Sequence, residues 1–288
     1  MGESPISGVT GTPFFIIFTD LDGTLLDHTT YKWEEALPAL DLCKRLQVPI
    51  ILVSSKTRAE MDLLRRELSI FEPFVSENGG GIFFPQGKCE APPPSTSLNG
   101  GLWRWSLGIP YARIVQGLQQ IRAELNWHIK GFSDMSIEEI SQRTGLDHET
   151  SRLAAMREYD EPFIIPERPT ANTDDLFKAA ARRGLTVTVG GRFYHLKGKN
   201  DKGQAMEKLI SWYRQSHGKV ASVALGDSPN DIPMLERADY PFLIKSSRDF
   251  PISKKRIPRL RVTREQGARG WNAAVLDLLG KNEETGNA

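Results

Sequence analysis

The sequence predicts an α/β protein, a doubly wound, mostly parallel sheet core with an inserted α+β unit. Three observations point there. Near the N-terminus, apolar runs of β-branched and aromatic residues alternate with amphipathic helical stretches, as strands buried between two helical layers require. That rhythm breaks at a Pro/Ser-rich stretch, residues 91–97, where a differently patterned middle third begins. Past Gly198 the first rhythm returns. The outer thirds therefore read as one domain, residues 1–85 and 196–288, interrupted by residues 86–195, and a length of 288 residues suits two domains of ~150 residues each.

In chain order, residues 14–19 (FFIIFT) are continuously apolar until Thr19, a buried-strand pattern. Residues 32–46 carry Trp33, Leu37, Leu40 and Leu46 among charges, an amphipathic helix in which Pro38 threatens a break. A strand over 49–53 ends at Ser54-Ser55. Thr57 and Glu60 then form a capping box for a helix reaching Leu68. Residues 74–76 lead into Glu77-Asn78 and three glycines, with a hairpin tip expected over 82–88. The middle third has helices over 111–124, from Ser136 to Gly145, over 148–158 and over 174–183. Its strands span 162–165, 185–189 and 192–196, the last two joined by Gly190-Gly191. Afterwards come a helix over 202–215, a buried strand over 220–225, a short helix over 231–238, a strand over 242–245 and a helix over 270–279, with a frayed tail from Lys281.

Composition narrows the function. Thirty-seven basic residues against 36 acidic ones leave a net charge of +1, which argues against a broad nucleic-acid face. Cys43 and Cys89 lie far apart without His or Cys at ligand spacing, so neither a disulfide framework nor a zinc site is expected. The first thirteen residues are polar and carry Glu3 where a signal peptide favours a basic residue, and no run approaches the ~20 apolar residues of a membrane span. We expect a cytoplasmic protein with no membrane or nucleic-acid partner; oligomeric state is not legible.

In open α/β sheets ligands bind beyond the carboxyl ends of the strands. Three apolar runs deliver polar residues there: Asp20 and Asp22 after the first, Ser54 and Ser55 after the second, and Asp227 and Asp231 after residues 220–225. Four carboxylates in one crevice repel unless protonated or bridged by a cation. A hard divalent ion such as Mg²⁺ suits them, and the lack of nearby His or Cys disfavours zinc. Residues two apart in an extended segment face the same way, so Asp20 and Asp22 can flank one substrate atom, one attacking and the other moving a proton. A calcium loop would need Gly in place of Leu25 and Glu in place of Tyr31. Neither a P-loop nor G-x-G-x-x-G occurs.

In order, Asp20-Leu-Asp22-Gly23-Thr24, Ser54, Lys202 and Gly226-Asp227-Ser-Pro-Asn230-Asp231 resemble the four motifs of the haloacid-dehalogenase-like phosphatases. The resemblance implies a Rossmann-like core in which Asp20 forms an aspartyl-phosphate, while Asp22 protonates the leaving oxygen and later activates water. It places Ser54, Lys202, Gly23 and Thr24 at the phosphate. Mg²⁺ would be held by Asp20, Asp22 through its main-chain carbonyl, and Asp227, with Asp231 in support.

An insert between Ser54 and Lys202, following Glu77-Asn78-Gly79-Gly80, resembles the Cof-like, large-capped branch. Within it, Ser54-Ser55-Lys56, Gly131-Phe132-Ser133-Asp134-Met135, the segment 157–163 and the segment 190–195 resemble enzymes acting on a phosphorylated sugar acid. That implies substrate-binding cations and hydrogen-bonding groups, with Arg157, Arg192 and His195 as candidates from the cap and Ser55, Lys56, Asn78 and Asn230 from the core. Rival expectations are a broader sugar-phosphate phosphatase, a phosphomannomutase of the same fold, or a non-catalytic ligand-binding protein retaining it.

Overall fold

The structure, a computed structural model, describes residues 13–87, 92–166, 173–190, 193–246 and 256–286, with side chains described as far as Gly280. β1 (Phe14–Thr19) opens the chain, and its buried end reflects its continuous apolar run. A short 3-10 turn then precedes α1 (Leu37–Arg45), which begins later than expected. Pro38 falls in its first turn, where no backbone N–H is needed, so there is no interior break. β2 (Ile50–Leu52) and α2 (Arg58–Glu67) follow. The Thr57 capping box is present, with Glu60 N donating to Thr57 Oγ1 at 3.2 Å and Thr57 N to Glu60 Oε2 at 2.8 Å.

β3 (Phe74–Ser76) and β4 (Gly81–Pro85) pair antiparallel. Beyond them β5 (Ser97–Asn99) and β6 (Leu102–Ser106) add to the same sheet, in the order β3-β4-β6-β5. This corrects one expectation. Residues 97–106, assigned to the insertion, pair with β4 and extend the first unit, and the isolated bridge Val53↔Val75 ties that sheet to the end of β2.

The second unit contains α3 (Tyr111–Leu125), β7 (Lys130–Gly131), α4 (Ile137–Thr144), α5 (His148–Ala154), β8 (Asp160–Ile164), α6 (Asp174–Arg182), β9 (Thr186–Gly190) and β10 (Phe193–Lys197). Its antiparallel sheet runs β7-β8-β10-β9. Ile114, Leu118 and Ile121 of α3 and Leu176 and Ala180 of α6 cluster with Phe163, Val187 and Leu196, covering one face. α5 stops before the expected end at Glu158, so Arg157 is not helical. The Gly190-Gly191 turn lies partly outside the described residues.

The chain returns to the core with α7 (Lys202–His217), β11 (Val220–Gly226), α8 (Ile232–Arg237), β12 (Tyr240–Lys245), β13 (Arg261–Gln266) and α9 (Gly267–Gly286). The last helix continues to Gly286, into the stretch expected to fray. The central sheet is wholly parallel, in the order β13-β12-β11-β1-β2. Its two faces are separate cores. Ile17, Leu52 and Val223 pack with Ala39 and Leu42 of α1 and Trp271 of α9, whereas Ile16, Phe18 and Ala224 pack with Met206 and Leu209 of α7 and Met234 of α8. Such alternation is what helices on both sides of a sheet require.

Candidate active site

β1 and β11 run side by side in parallel, Phe14 opposite Val220 through Thr19 opposite Leu225. Both therefore end together, and Asp20 N donates to Leu225 O at 2.9 Å just where the acidic motifs begin. Thr19 steadies this end from below, donating through Oγ1 to Asp20 O at 2.7 Å while accepting from the buried Trp271 Nε1 at 3.0 Å. Gly23 takes φ 80°, and a Cβ there would stand 2.5 Å from Asp227 Oδ2, so a side chain at this position would occupy the space the two motifs share.

Lys202 is the buried centre of the cluster. Its Nζ donates to Asp20 Oδ1 and to Asp231 Oδ1, each at 2.6 Å. α7 delivers it from its first turn, N-capped by Asp201, whose Oδ1 accepts Gln204 N at 2.7 Å. Asp231 is saturated on its other side, Oδ2 accepting from Asp227 N at 3.0 Å, Ser228 N at 2.9 Å and Ser228 Oγ at 2.9 Å. Burial, reinforced by Asp231 and Asp227, holds the Asp20 carboxyl well above the usual range against the pull of Lys202. Burial and then Asp231 push Asp227 up to about 7. Desolvation opposes the Lys202 charge, but Asp20 and Asp231 outweigh it and hold its pKa above that of an ordinary lysine.

Each of Asp20, Asp227 and Asp231 offers an oxygen within 4.8 Å of the others, a buried cluster able to hold a metal ion. Three carboxylates facing one ammonium leave excess negative charge, and an all-oxygen donor set fits a hard cation. The fourth expected carboxylate points elsewhere. Asp22 Oδ2 pairs with Lys56 Nζ at 3.0 Å, and its Oδ1 is buried without a hydrogen-bond partner among the described residues. The side chain of Asp22 is thus outside the cluster.

The remaining expected residues divide. Ser54 is buried, its Oγ accepting Lys56 N at 3.2 Å, and Thr24 Oγ1 reaches Asp227 Oδ1 at 3.4 Å. Asn230 Nδ2 donates to Asn78 Oδ1 at 3.0 Å, and Asn78 N donates to Ser54 O at 2.9 Å, which links these three. Arg157 is committed to structure, donating through Nη1 to Ser55 O at 3.0 Å and through Nε to Ala154 O at 2.8 Å. His195 lies on the face of the second sheet away from α3 and α6, its Nδ1 2.8 Å from Asp160 Oδ2. Arg192 lies outside the described residues.

Sequence reasoning overlooked the residues joining the two units. The wholly buried Glu77 accepts from Glu158 N at 2.9 Å and Tyr159 N at 2.8 Å. Glu158 in turn meets Arg58 Nε at 2.7 Å and Arg104 Nη1 at 3.1 Å, and Thr57 Oγ1 donates to Leu153 O at 2.9 Å. Acidic residues beside an apolar strand, as in Asp160-Glu161-Pro162-Phe163, were the available signal.

The haloacid dehalogenase-like hydrolase family matches residues 17–91 and 174–250. A Methanococcoides burtonii protein named glucosyl-3-phosphoglycerate/mannosyl-3-phosphoglycerate phosphatase is 43% identical over 269 residues, covering 93% of this chain and 98% of its own. A Persephonella marina protein of the same name is 38% identical with the same coverage, and a Pyrococcus furiosus mannosyl-3-phosphoglycerate phosphatase is 35% identical over 81% of this chain and 92% of its own. Among solved structures, a Bacteroides thetaiotaomicron protein described among phosphatases of the haloalkanoate superfamily gives a TM-score of 0.64 at 16% identity, covering 96% of this chain and 99% of its own. A Thermoplasma acidophilum structure gives 0.62 at 19% identity, covering 93% and 99%. These two likenesses concern the fold alone. Among the described residues no helix is long and apolar enough to cross a membrane.

Proposed function

The chain belongs to the haloacid dehalogenase-like hydrolases, and on that premise we propose that it is a Mg²⁺-dependent phosphatase converting glucosyl- or mannosyl-3-phosphoglycerate to the glycosylglycerate. The observation that carries the chemistry is the buried Asp20–Lys202–Asp231 cluster at the paired ends of β1 and β11. The names of relatives up to 43% identical over nearly the whole chain support the substrate. The sugar stays open, since the relatives carry both names.

Asp20 attacks phosphorus through a carboxylate oxygen, the phosphorus–oxygen bond to the glycerate breaks, and Asp22 gives a proton to the departing oxygen. Asp22 then takes a proton from the water that hydrolyses the aspartyl-phosphate, restoring Asp20 and releasing phosphate. Lys202, Ser54, Thr24 and the main chain of Gly23 meet the phosphoryl oxygens, where charge develops. Asp20, Asp227 and the main-chain carbonyl of Asp22 would hold Mg²⁺, with Asp231 orienting Lys202 and the 227–228 backbone. The ion, when bound, neutralises the anions that would otherwise repel each other.

Residues from Leu107 to Lys197 act as the cap, hinged where Leu107 N and Gly108 N both donate to Gly80 O and where Lys197 leads into α7. Lys56, Ser55, Asn78 and Asn230 from the core, with His195 from the cap, contact the sugar acid, while Arg157 shapes the site through the Ser55 carbonyl.

The test is phosphate release from both glycosyl-3-phosphoglycerates and from a broad phosphate-ester panel, with and without EDTA, for wild type and Asp20→Asn. Metal-dependent release confined to the glycosyl esters and lost in the variant is expected. Isomerised hexose phosphate would mean a mutase, broad hydrolysis a general sugar phosphatase, and no turnover a binding protein.

A further inference from the structure

Tyr31 stands out as an aromatic the core does not need. Its residue surface is 49% exposed, and its backbone φ is 57°, in the left-handed region that bulky L-residues rarely adopt. The loop after the first acidic motif holds it there. Asp27 Oδ1 accepts from Thr29 N at 3.0 Å, Thr30 N at 2.8 Å and Thr30 Oγ1 at 2.9 Å. The main chain closes the turn with Tyr31 N to Asp27 O at 3.0 Å and Asp27 N to Lys32 O at 2.8 Å. A backbone held this way, in a strained conformation beneath an exposed ring, is arranged for something other than apolar burial.

Its position says what. Lys56 Nζ lies 5.4 Å from the ring centroid and 3.0 Å from Asp22 Oδ2, and the Lys56 side chain is only 13% exposed. One ammonium thus ties the ring to the carboxylate that serves the leaving oxygen. In a 2-glycosyl-3-phosphoglycerate the phosphate, the glycerate carbons with their carboxylate, and the sugar follow one another. Asp22, Lys56 and Tyr31 follow in the same order along one chain of contacts that starts two residues from Asp20.

Resting on the glycosyl-3-phosphoglycerate reading above, we propose that Tyr31 is the sugar platform of this site, its ring stacking on the C–H face of the glycosyl group while Lys56 meets the glycerate carboxylate. The π face attracts both the partly positive sugar C–H groups and the ammonium. Asp22 then exchanges Lys56 for the leaving oxygen as the carboxylate draws the ammonium away.

The experiment compares wild type, Tyr31→Ala and Tyr31→Phe on mannosyl- and glucosyl-3-phosphoglycerate, using inorganic phosphate as a competitive inhibitor that reports the core alone. The expected result is a KM raised about tenfold in Tyr31→Ala, with kcat falling less than KM rises, and rescue in Tyr31→Phe to within about twofold. The phosphate inhibition constant stays within about twofold in both variants. An unchanged KM, or a phosphate constant that shifts as much as KM, would overturn the platform. Absence of turnover by wild type on both esters would instead sink the substrate reading, and the platform with it.

Discussion

Lys202 Nζ stands 2.6 Å from Asp20 Oδ1 in a position closed to solvent. On the proposed mechanism, an ammonium so placed neutralises Asp20 as it attacks and gives the incoming phosphoryl group a cation already in position. Lys202→Met should therefore lower turnover by ~10³-fold or more. Leaving Asp20 and Asp231 without their shared cation should also destabilise the fold by ~3–5 kcal/mol. Steady-state phosphate release and thermal unfolding check both, and a variant retaining a tenth of wild-type turnover would contradict the assignment.

Metal affinity should depend on pH. Burial and Asp231 push Asp227 from 3.8 up to about 7. Between those values the metal-free native site holds a proton that an ion must displace, so affinity weakens as pH falls below about 7 and levels off above it. The half-saturating Mg²⁺ concentration should rise up to about tenfold per unit below neutrality. A profile flat from about pH 5.5 to 8 would remove Asp227 from the ligand set.

The legible and illegible parts of this fold separate by how far apart in sequence the deciding contacts lie. Residues 14–19 announce their strand because burial on both faces leaves one continuous apolar run, and the Asp20–Asp22 pair follows it directly. The strand Arg261–Gln266 carries no such signal, being largely exposed at the edge of the sheet. Residues 97–106 looked like part of the insertion because nothing local records their pairing with Gly81–Pro85. The Glu77–Tyr159 bond spans 82 residues and is equally silent. Motif order could find Asp22, yet its turn toward Lys56, away from the acidic cluster, emerges only in three dimensions.

Glu77 makes the junction between the two units sensitive to pH. Burial raises its carboxyl from 4.5 to about 8, although Arg157 and the N–H groups of Tyr159 and Glu158 pull the other way. Between these values the unfolded chain has lost the proton and the native one keeps it, so this group's contribution to stability falls as pH rises and becomes constant above about 8. Glu77→Gln lacks that slope. Its amide also turns an N–H₂ toward main-chain donors, at a cost of ~1–3 kcal/mol. Thermal unfolding should find the variant less stable near pH 6, with the gap narrowing by pH 8.5; a gap that widens would reverse the sign.

Asp160 and His195 should act as a unit. The carboxylate is wholly buried, its Oδ2 lies 2.8 Å from His195 Nδ1, and its Oδ1 is buried without a hydrogen-bond partner among the described residues. An imidazole held this way donates Nδ1–H to the carboxylate and presents Nε2 as the free ring nitrogen. If that nitrogen meets the sugar acid, His195→Ala and Asp160→Asn should each raise KM several-fold, the first by removing the ring and the second by loosening it. The double variant should then be little worse than either single one, because removing the ring leaves nothing for the carboxylate to orient. Effects that add in full would mean that Asp160 serves the packing of the β8–β10 pair and His195 serves the substrate independently.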